Sequence, residues 1–352
     1  MNKNYRQLTE NVRARLNPDN IAIQKSFADE LATLTYSDVL VYIRTAMNSP
    51  EPEYTQKSKD AGERVKEHLS KELKDVVFKY QGSVMTDTHI KGYSDIDLLT
   101  ICDKFYTYDR YNIQQILNTP EKKSKYYSTS ITKMETENNN PSYSGDSLLD
   151  LRNIRNDSER ILKNVYTVCD TNNAKAIKIR NLSLNRDVDI VIANWYDDVS
   201  SIINDKGDYR GIQVYNKGTH SKENSDFPFL SIKRINERSA ESNGRLKKMI
   251  RFIKHTKANS DQEIKLSSFD INAVCYDIEL PKYQYLSFYD LVPIIYFQIK
   301  NICSDQTKAD NIISVDGREY IFRGDSEKLN NLKRVLVEIE SVYLDLKSNL
   351  VK

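Results

Sequence analysis

Long apolar runs are missing from this 352-residue chain, and without a run of about 18 apolar residues no membrane span is expected. The opening "MNKNYRQLTENVRARLNPDN" has no apolar h-region, so no secretory leader is expected. Cysteine is scarce and dispersed. Cys102, Cys169, Cys275 and Cys303 form no CxxC pair, which argues against structural zinc and a disulfide framework and fits a reducing cytoplasm. The histidines His68, His89, His220 and His255 show no metal-ligand spacing. A charge excess is also lacking. The 52 Lys+Arg against 50 Asp+Glu leave a net +2, whereas a bulk nucleic-acid binder needs a strongly basic face. No internal repeat is present.

What remains is a chain long enough for one large or two medium domains with a sizeable core. Helices are expected over 36–47 and 52–73, the second from Ala61, Val65, Leu69 and Leu73 at helical spacing. "KDVVFKYQG" reads as a strand ending at Gly82, and "DIDLLTIC" as a second strand. The polar stretch 118–145 reads as a flexible insertion, with "KYYSTSITKM" alternating well enough for a hairpin arm. A helix near 148–166 is followed by adjacent strands in "AKAIKIRNL" and "RDVDIVIANW", then a short strand or loop, "GIQVYNKG". From there the pattern turns helical, at 231–240, 243–258, 287–302 and 325–348, with a small hairpin at "IISVDGREYIFRG". The fold class is therefore α+β. A mixed half, 1–205, precedes a mainly helical half, 206–352, with the boundary in the Gly-, Asn- and Asp-containing stretch 205–225.

One segment is chemically unusual. "YQGSVMTDTHIKGYSDIDLLTIC" places Gly82-Ser83 after one strand and, eleven residues on, two aspartates at the start of another. Side chains two apart on a strand share a face, so Asp95 and Asp97 lie together with Ile96 and Leu98 opposite. Two such carboxylates repel, and a divalent cation between them removes the conflict. Mg²⁺ suits hard oxygen ligands and is usually held by one or two protein carboxylates plus substrate phosphates. A third carboxylate on an adjacent strand would complete a site for two metals. "RDVDIVIANW" offers Asp189 or Asp187, and Asp189 is preferred because it directly precedes the most apolar run. Gly-Ser after a strand presents backbone N–H groups and a hydroxyl that suit a phosphate.

"GSVMTDTHIKGYSDIDLL" together with "VDIVIANW" resembles the nucleotidyltransferase core shared by DNA polymerase β. More narrowly it resembles the 2′-5′-oligoadenylate synthetases and the cyclic GMP–AMP synthase/DncV-like enzymes (CD-NTases). "RLKKMIRFIKHTK" is similar to that family's helix of the form leucine-lysine-x-x-isoleucine-arginine-x-x-lysine, and "KLSSFDINAVCYDI" to the segment that follows it. The resemblance runs from about Tyr36 to Asp277. The chain departs at Ile192, where the family often has Pro, and it lacks a counterpart to the zinc-binding insertion of animal cyclic GMP–AMP synthase.

The resemblance implies a bilobal molecule with a nucleoside triphosphate in a central cleft. Gly82 and Ser83 would cradle its β- and γ-phosphates. Asp95, Asp97 and Asp189 would hold two Mg²⁺ ions, with Mn²⁺ as a substitute, for in-line displacement at the α-phosphate. Lys247, Arg251 and Lys254 share a helix face. Alone that reads as a solvated basic surface; by resemblance Lys254 and Arg251 clamp the triphosphate. Ser268 would touch the same phosphates, Phe269 would stack on a base unless it is a core residue, and Asn236 would sit near the acceptor base. Trp195 reads as packing.

The expected product is a cyclic di- or trinucleotide messenger made from ribonucleoside triphosphates by a monomeric cytoplasmic enzyme. A downstream effector would read it, as in anti-phage signalling. A linear-product transferase acting on RNA or protein would share the metal site. A catalytically dead relative would have lost part of it.

Overall fold

In a computed structural model of the chain, residues 3–16, 38–90 and 96–350 are described. Two compact units emerge. One comprises Gln56–Gly82 and Asp95–Lys233, the other Met1–Thr55, Ser83–Ser94 and Arg234–Lys352. The division is not the contiguous one expected at 205–225. The chain's first helices pack into the same core as its last, which a reading along the sequence does not see.

The first unit is α/β. Its strands are β1 (Val76–Gln81), β2 (Ile96–Tyr108), β3 (Cys169–Asp170), β4 (Ile177–Asn181), β5 (Arg186–Asp197), β6 (Gly211–Asn216) and β7 (Ser221–Asp226). They form one mixed sheet in the order β1-β2-β5-β4-β3, with β6 joined to β5 and β7 to β6. Only β2 and β5 pair in parallel; the other ladders are antiparallel. Helix α3 (Pro52–Ser70) leads into β1. Ser147–Val165, labelled α7 below, packs on β2 and β5. Leu99, Ile101, Val191, Ala193, Trp195 and Ile212 form an apolar cluster within this sheet.

The polar insertion is neither flexible nor a hairpin. It forms α4 (Arg110–Asn118), α5 (Pro120–Lys123) and α6 (Ser128–Asn138), and α7 follows. Ile131 and Met134, three apart on α6, pack against Ile113 and Ile116 of α4. Those few apolar residues at helical spacing outweigh the polar composition around them. The short α8 (Val199–Ile203) contributes Ile202 to the same cluster.

Arg155 of α7 is only 1 % exposed. Its Nη2 donates to the carbonyls of Thr171 (3.3 Å), Asn173 (2.9 Å) and Ala176 (3.1 Å), and its Nε donates to Glu159 at 2.7 Å. The guanidinium therefore ties the turn before β4 to the helix. Arg155→Met is expected to cost about 3 kcal/mol, since it strands buried acceptors. A shifted urea midpoint with an unchanged slope would show it.

The second unit is helical: α1 (Tyr5–Leu16), α2 (Asp38–Met47), α9 (Pro228–Glu241, of which Arg234 onward belongs here), α10 (Arg245–Ala258), α11 (Ser268–Tyr276), α12 (Leu291–Ser304), α13 (Gln306–Asn311) and α14 (Ser326–Leu350). Helix α10 is central and touches α2, α11, α12 and α14. Every residue from Met249 to Thr256 is buried, as befits a helix surrounded by others. The expected hairpin over 312–324 shrinks to one bridge between Ile313 and Tyr320. Residues 36 and 37 of the first expected helix lie outside the described residues.

Candidate active site

In the α/β unit, the parallel register of β2 and β5 sets Asp97 directly opposite Asp189. Both aspartates are half-buried, while their chain neighbours Ile96, Leu98, Val188 and Ile190 are fully buried. The alternation puts the two carboxylates together on one face and the apolar side chains on the other. Asp187 lies two residues before Asp189 and is engaged by Arg180, with Nη1 3.6 Å from its Oδ2. Asp95 lies outside the described residues. Among those described, no group of three His, Cys, Asp or Glu is placed to hold a metal. The two aspartates opposite one another nonetheless present the all-oxygen, anionic donor set that suits Mg²⁺.

Two further residues complete this face. Gly82 follows β1 with φ +86°, and a Cβ built on it would stand 2.2 Å from Oδ2 of Asp97. Glycine is therefore required twice over, for the left-handed backbone and for the approach of the carboxylate. Lys178 of β4 is Asp189's register partner, with its Nζ 3.8 Å from Oδ1. It places a cation beside the aspartate pair. Sequence reasoning missed it, although its position between Ile177 and Ile179 marks it as facing the polar side of the strand.

In the helical unit, Ser83 opens a compact turn. The Ser83 carbonyl accepts from the Thr88 amide (2.9 Å) and from the Thr86 hydroxyl (3.2 Å). Lys254 and Arg251 of α10 hold this turn from below and are not a solvated surface; each is 5 % exposed. Lys254 Nζ donates to the Thr88 carbonyl at 2.9 Å and to the Thr88 hydroxyl at 3.4 Å. Arg251 donates to the Met47 carbonyl (2.9 Å) and the Asp87 carbonyl, and its Nη1 lies 3.5 Å from the Asp87 carboxylate.

Burial, then the nearby Arg251 and Lys257, push the Lys254 ammonium down to about 7. Burial also lowers Lys257 and Lys247. This is a concentration of desolvated cations of the kind an anion relieves. Lys254 lines a small pocket of about 80 Å³ with Lys257, Ser268, Ile90 and Ile271.

Ser268 is exposed at the start of α11, and its neighbour Ser267 is the capping residue, in a reciprocal box with Asp270. Phe269 is half-buried and packs against the helical core, so a structural role accounts for it. Asn236 is half-buried on α9.

Comparison with known proteins adds to this geometry. Residues 233–344 match the model of the cGAS/DncV-like nucleotidyltransferase C-terminal helical domain. A c-di-GMP synthase of Capnocytophaga granulosa is 52 % identical over 99 % of both chains. The chain belongs to the cGAS/DncV-like nucleotidyltransferases. It is accordingly a nucleotidyltransferase that joins nucleoside triphosphates into a cyclic oligonucleotide messenger. Among solved structures of this family, a STING-associated CdnE c-di-GMP synthase from Flavobacteriaceae sp. superposes with a TM-score of 0.88 at 38 % identity, covering 99 % of this chain and 100 % of that one. The corresponding synthase structure from C. granulosa gives 0.79 at 48 % identity, with the same coverage. The mixed sheet with a helical second unit is thus the family fold. Ile192, the family's frequent Pro, is fully buried opposite Thr100 on β2, so the departure leaves the ladder intact.

Proposed function

We propose that this CD-NTase makes cyclic di-GMP from two molecules of GTP, as a cytoplasmic monomer, and that a STING-type effector reads the product in anti-phage signalling. The observation that carries the reading is the near-full-length match to synthases named for that product, at 52 % and 41 % identity. The in-register Asp97 and Asp189 supply the chemistry such a synthase needs.

In this reading Asp97 and Asp189, with Asp95, would hold two Mg²⁺ ions. The ions would supply charge neutralisation for the displacement at the α-phosphate. Gly82 lets the Asp97 carboxylate stand close to the backbone. Ser83 and the turn it opens receive the β- and γ-phosphates. Lys254 and Arg251 hold that turn and add positive charge, and Ser268 contributes a hydroxyl. A ribose hydroxyl attacks the α-phosphorus, the bond to the bridging oxygen breaks, and pyrophosphate leaves. Asp189 accepts the proton lost by the hydroxyl. Repeating the step within the linear dinucleotide closes the ring. Positioning and charge stabilisation provide the catalysis, and no covalent intermediate is needed.

Incubation with GTP and Mg²⁺, phosphatase treatment and mass spectrometry test the reading. The expected result is a phosphatase-resistant species at the mass of cyclic di-GMP, formed from GTP alone. A cyclic product that requires ATP, CTP or UTP would overturn the guanine assignment, and linear oligomers would overturn cyclisation.

Lys254 gives a separate, pH-dependent expectation. In the fold it loses its proton near pH 7, whereas unfolded lysine does so near 10.5. Between those values the unfolded chain binds more protons, so this group makes stability rise with pH. The thermal midpoint of the wild type is expected to gain on that of Lys254→Met from pH 7 to pH 9. Triphosphate binding should conversely reprotonate the amine. Calorimetry in buffers of different ionisation enthalpy near pH 8 would read an uptake of up to about one proton, lost in the variant.

A further inference from the structure

The sheet carries a second concavity that none of the chemistry above uses. On β2, Cys102 pairs with Asn194 and Tyr106 with Trp195, so Asp103, Lys104 and Phe105 bulge out of the ladder. Bulges of this kind re-aim side chains beside functional sites. Here the bulge opens a pocket of about 550 Å³, within the range of small-molecule sites. It lies entirely within the α/β unit. Trp195 stands six residues beyond Asp189 on β5, about 20 Å along the strand at about 3.3 Å per residue. The pocket is therefore not the carboxylate site.

Its walls combine aromatic rings with cations. Phe105 and Tyr143 stack at 5.2 Å between centroids. The Arg210 guanidinium lies 4.5 Å above the Trp195 ring, and that of Arg110 lies 5.3 Å from the Tyr108 ring. Arg210 is fixed by two bonds of 2.9 Å to the buried Asp197. Arg110 bonds only neutral oxygens, those of Tyr108 (3.0 Å) and Ser142 (3.1 Å), and pairs with no carboxylate among the described residues. An exposed arginine held by two neutral groups at the mouth of an aromatic pocket is a pre-oriented anion receptor. Rings beside it suit a flat base.

We propose that this pocket is a second, non-catalytic nucleotide site, taking a purine nucleotide with its base among the aromatic side chains and its phosphate at Arg110. The ligand is either the triphosphate substrate or the cyclic dinucleotide product. Because β2 and β5 run from this pocket to Asp97 and Asp189, occupancy there is placed to adjust the carboxylates.

Trp195 is the chain's single tryptophan and lines this pocket, so its fluorescence is a probe of the pocket, and the pocket variants below separate that signal from binding at the carboxylates. The test titrates Asp97→Asn protein, whose turnover is expected to be strongly reduced, with GTP, ATP, GMP and cyclic di-GMP. The guanine probes rest on the cyclic di-GMP reading; ATP and a binding readout keep the answer independent of which product is made. The expected result is a saturable change with at least one nucleotide, weakened at least tenfold by Arg110→Glu and by Tyr108→Ala, with circular dichroism unchanged. A preference for triphosphate identifies substrate sensing, and a preference for the cyclic dinucleotide identifies product feedback. No saturable change at millimolar nucleotide, or a change that both variants retain, overturns the proposal.

Discussion

Asp97→Asn is expected to lower turnover at least about a thousandfold, a loss of about 4 kcal/mol in transition-state stabilisation. The substitution keeps the shape of the side chain and removes one negative charge from the face shared with Asp189. Because two facing carboxylates repel when no cation is present, the metal-free variant should be as stable as the wild type or slightly more so. Asp189→Asn should behave alike, with one difference. Lys178, 3.8 Å from Asp189, would lose its partner, so part of the gain in stability should vanish. Thermal midpoints measured with and without Mg²⁺ separate the effects. The wild type should be stabilised by the ion and the variants much less. A variant that kept full turnover would remove these aspartates from the reaction.

Gly82→Ala should do nearly as much damage from a residue with no functional group. The added methyl would fall 2.2 Å from Asp97 Oδ2, well inside van der Waals contact, on a backbone at φ +86°. The left-handed conformation alone costs about 1–2 kcal/mol for a residue with a Cβ. The collision then forces the carboxylate aside, and a displacement of about 1 Å at a catalytic group is worth about a hundredfold in rate. The expected result is turnover down by about that factor with a raised Mg²⁺ requirement, measured by metal titration of pyrophosphate release. An unchanged metal requirement with only lowered stability would show that the glycine serves the turn and not the carboxylate.

The carboxylate pair was legible because its signal is local. Asp97 and Asp189 each interrupt an apolar strand at its start, and alternation on a strand is a property of consecutive residues. From spacing alone, Lys254 and Arg251 were legible as a shared helix face, and the resemblance added a triphosphate clamp. Whether that face met solvent or protein depended on α2, the Ser83–Thr88 turn and α11, which are distant in the chain. The same limit explains α6. Its few apolar residues alternate weakly enough to suggest a hairpin, and only contact with Ile113 and Ile116 selects the helix.

By itself, then, the sequence determined the α+β class, the Gly82-Ser83 and aspartate constellation and the family resemblance, since each rests on residue type and short spacing. The tertiary structure decided what those spacings leave open. It chose Asp189 over Asp187 as the residue opposite Asp97 through strand register. It buried Lys254 until its ammonium titrates near 7. It gathered the first helices into the core of the last. Each of these comes from packing between segments far apart in the chain, where burial and register are set by partners that no short stretch of sequence contains.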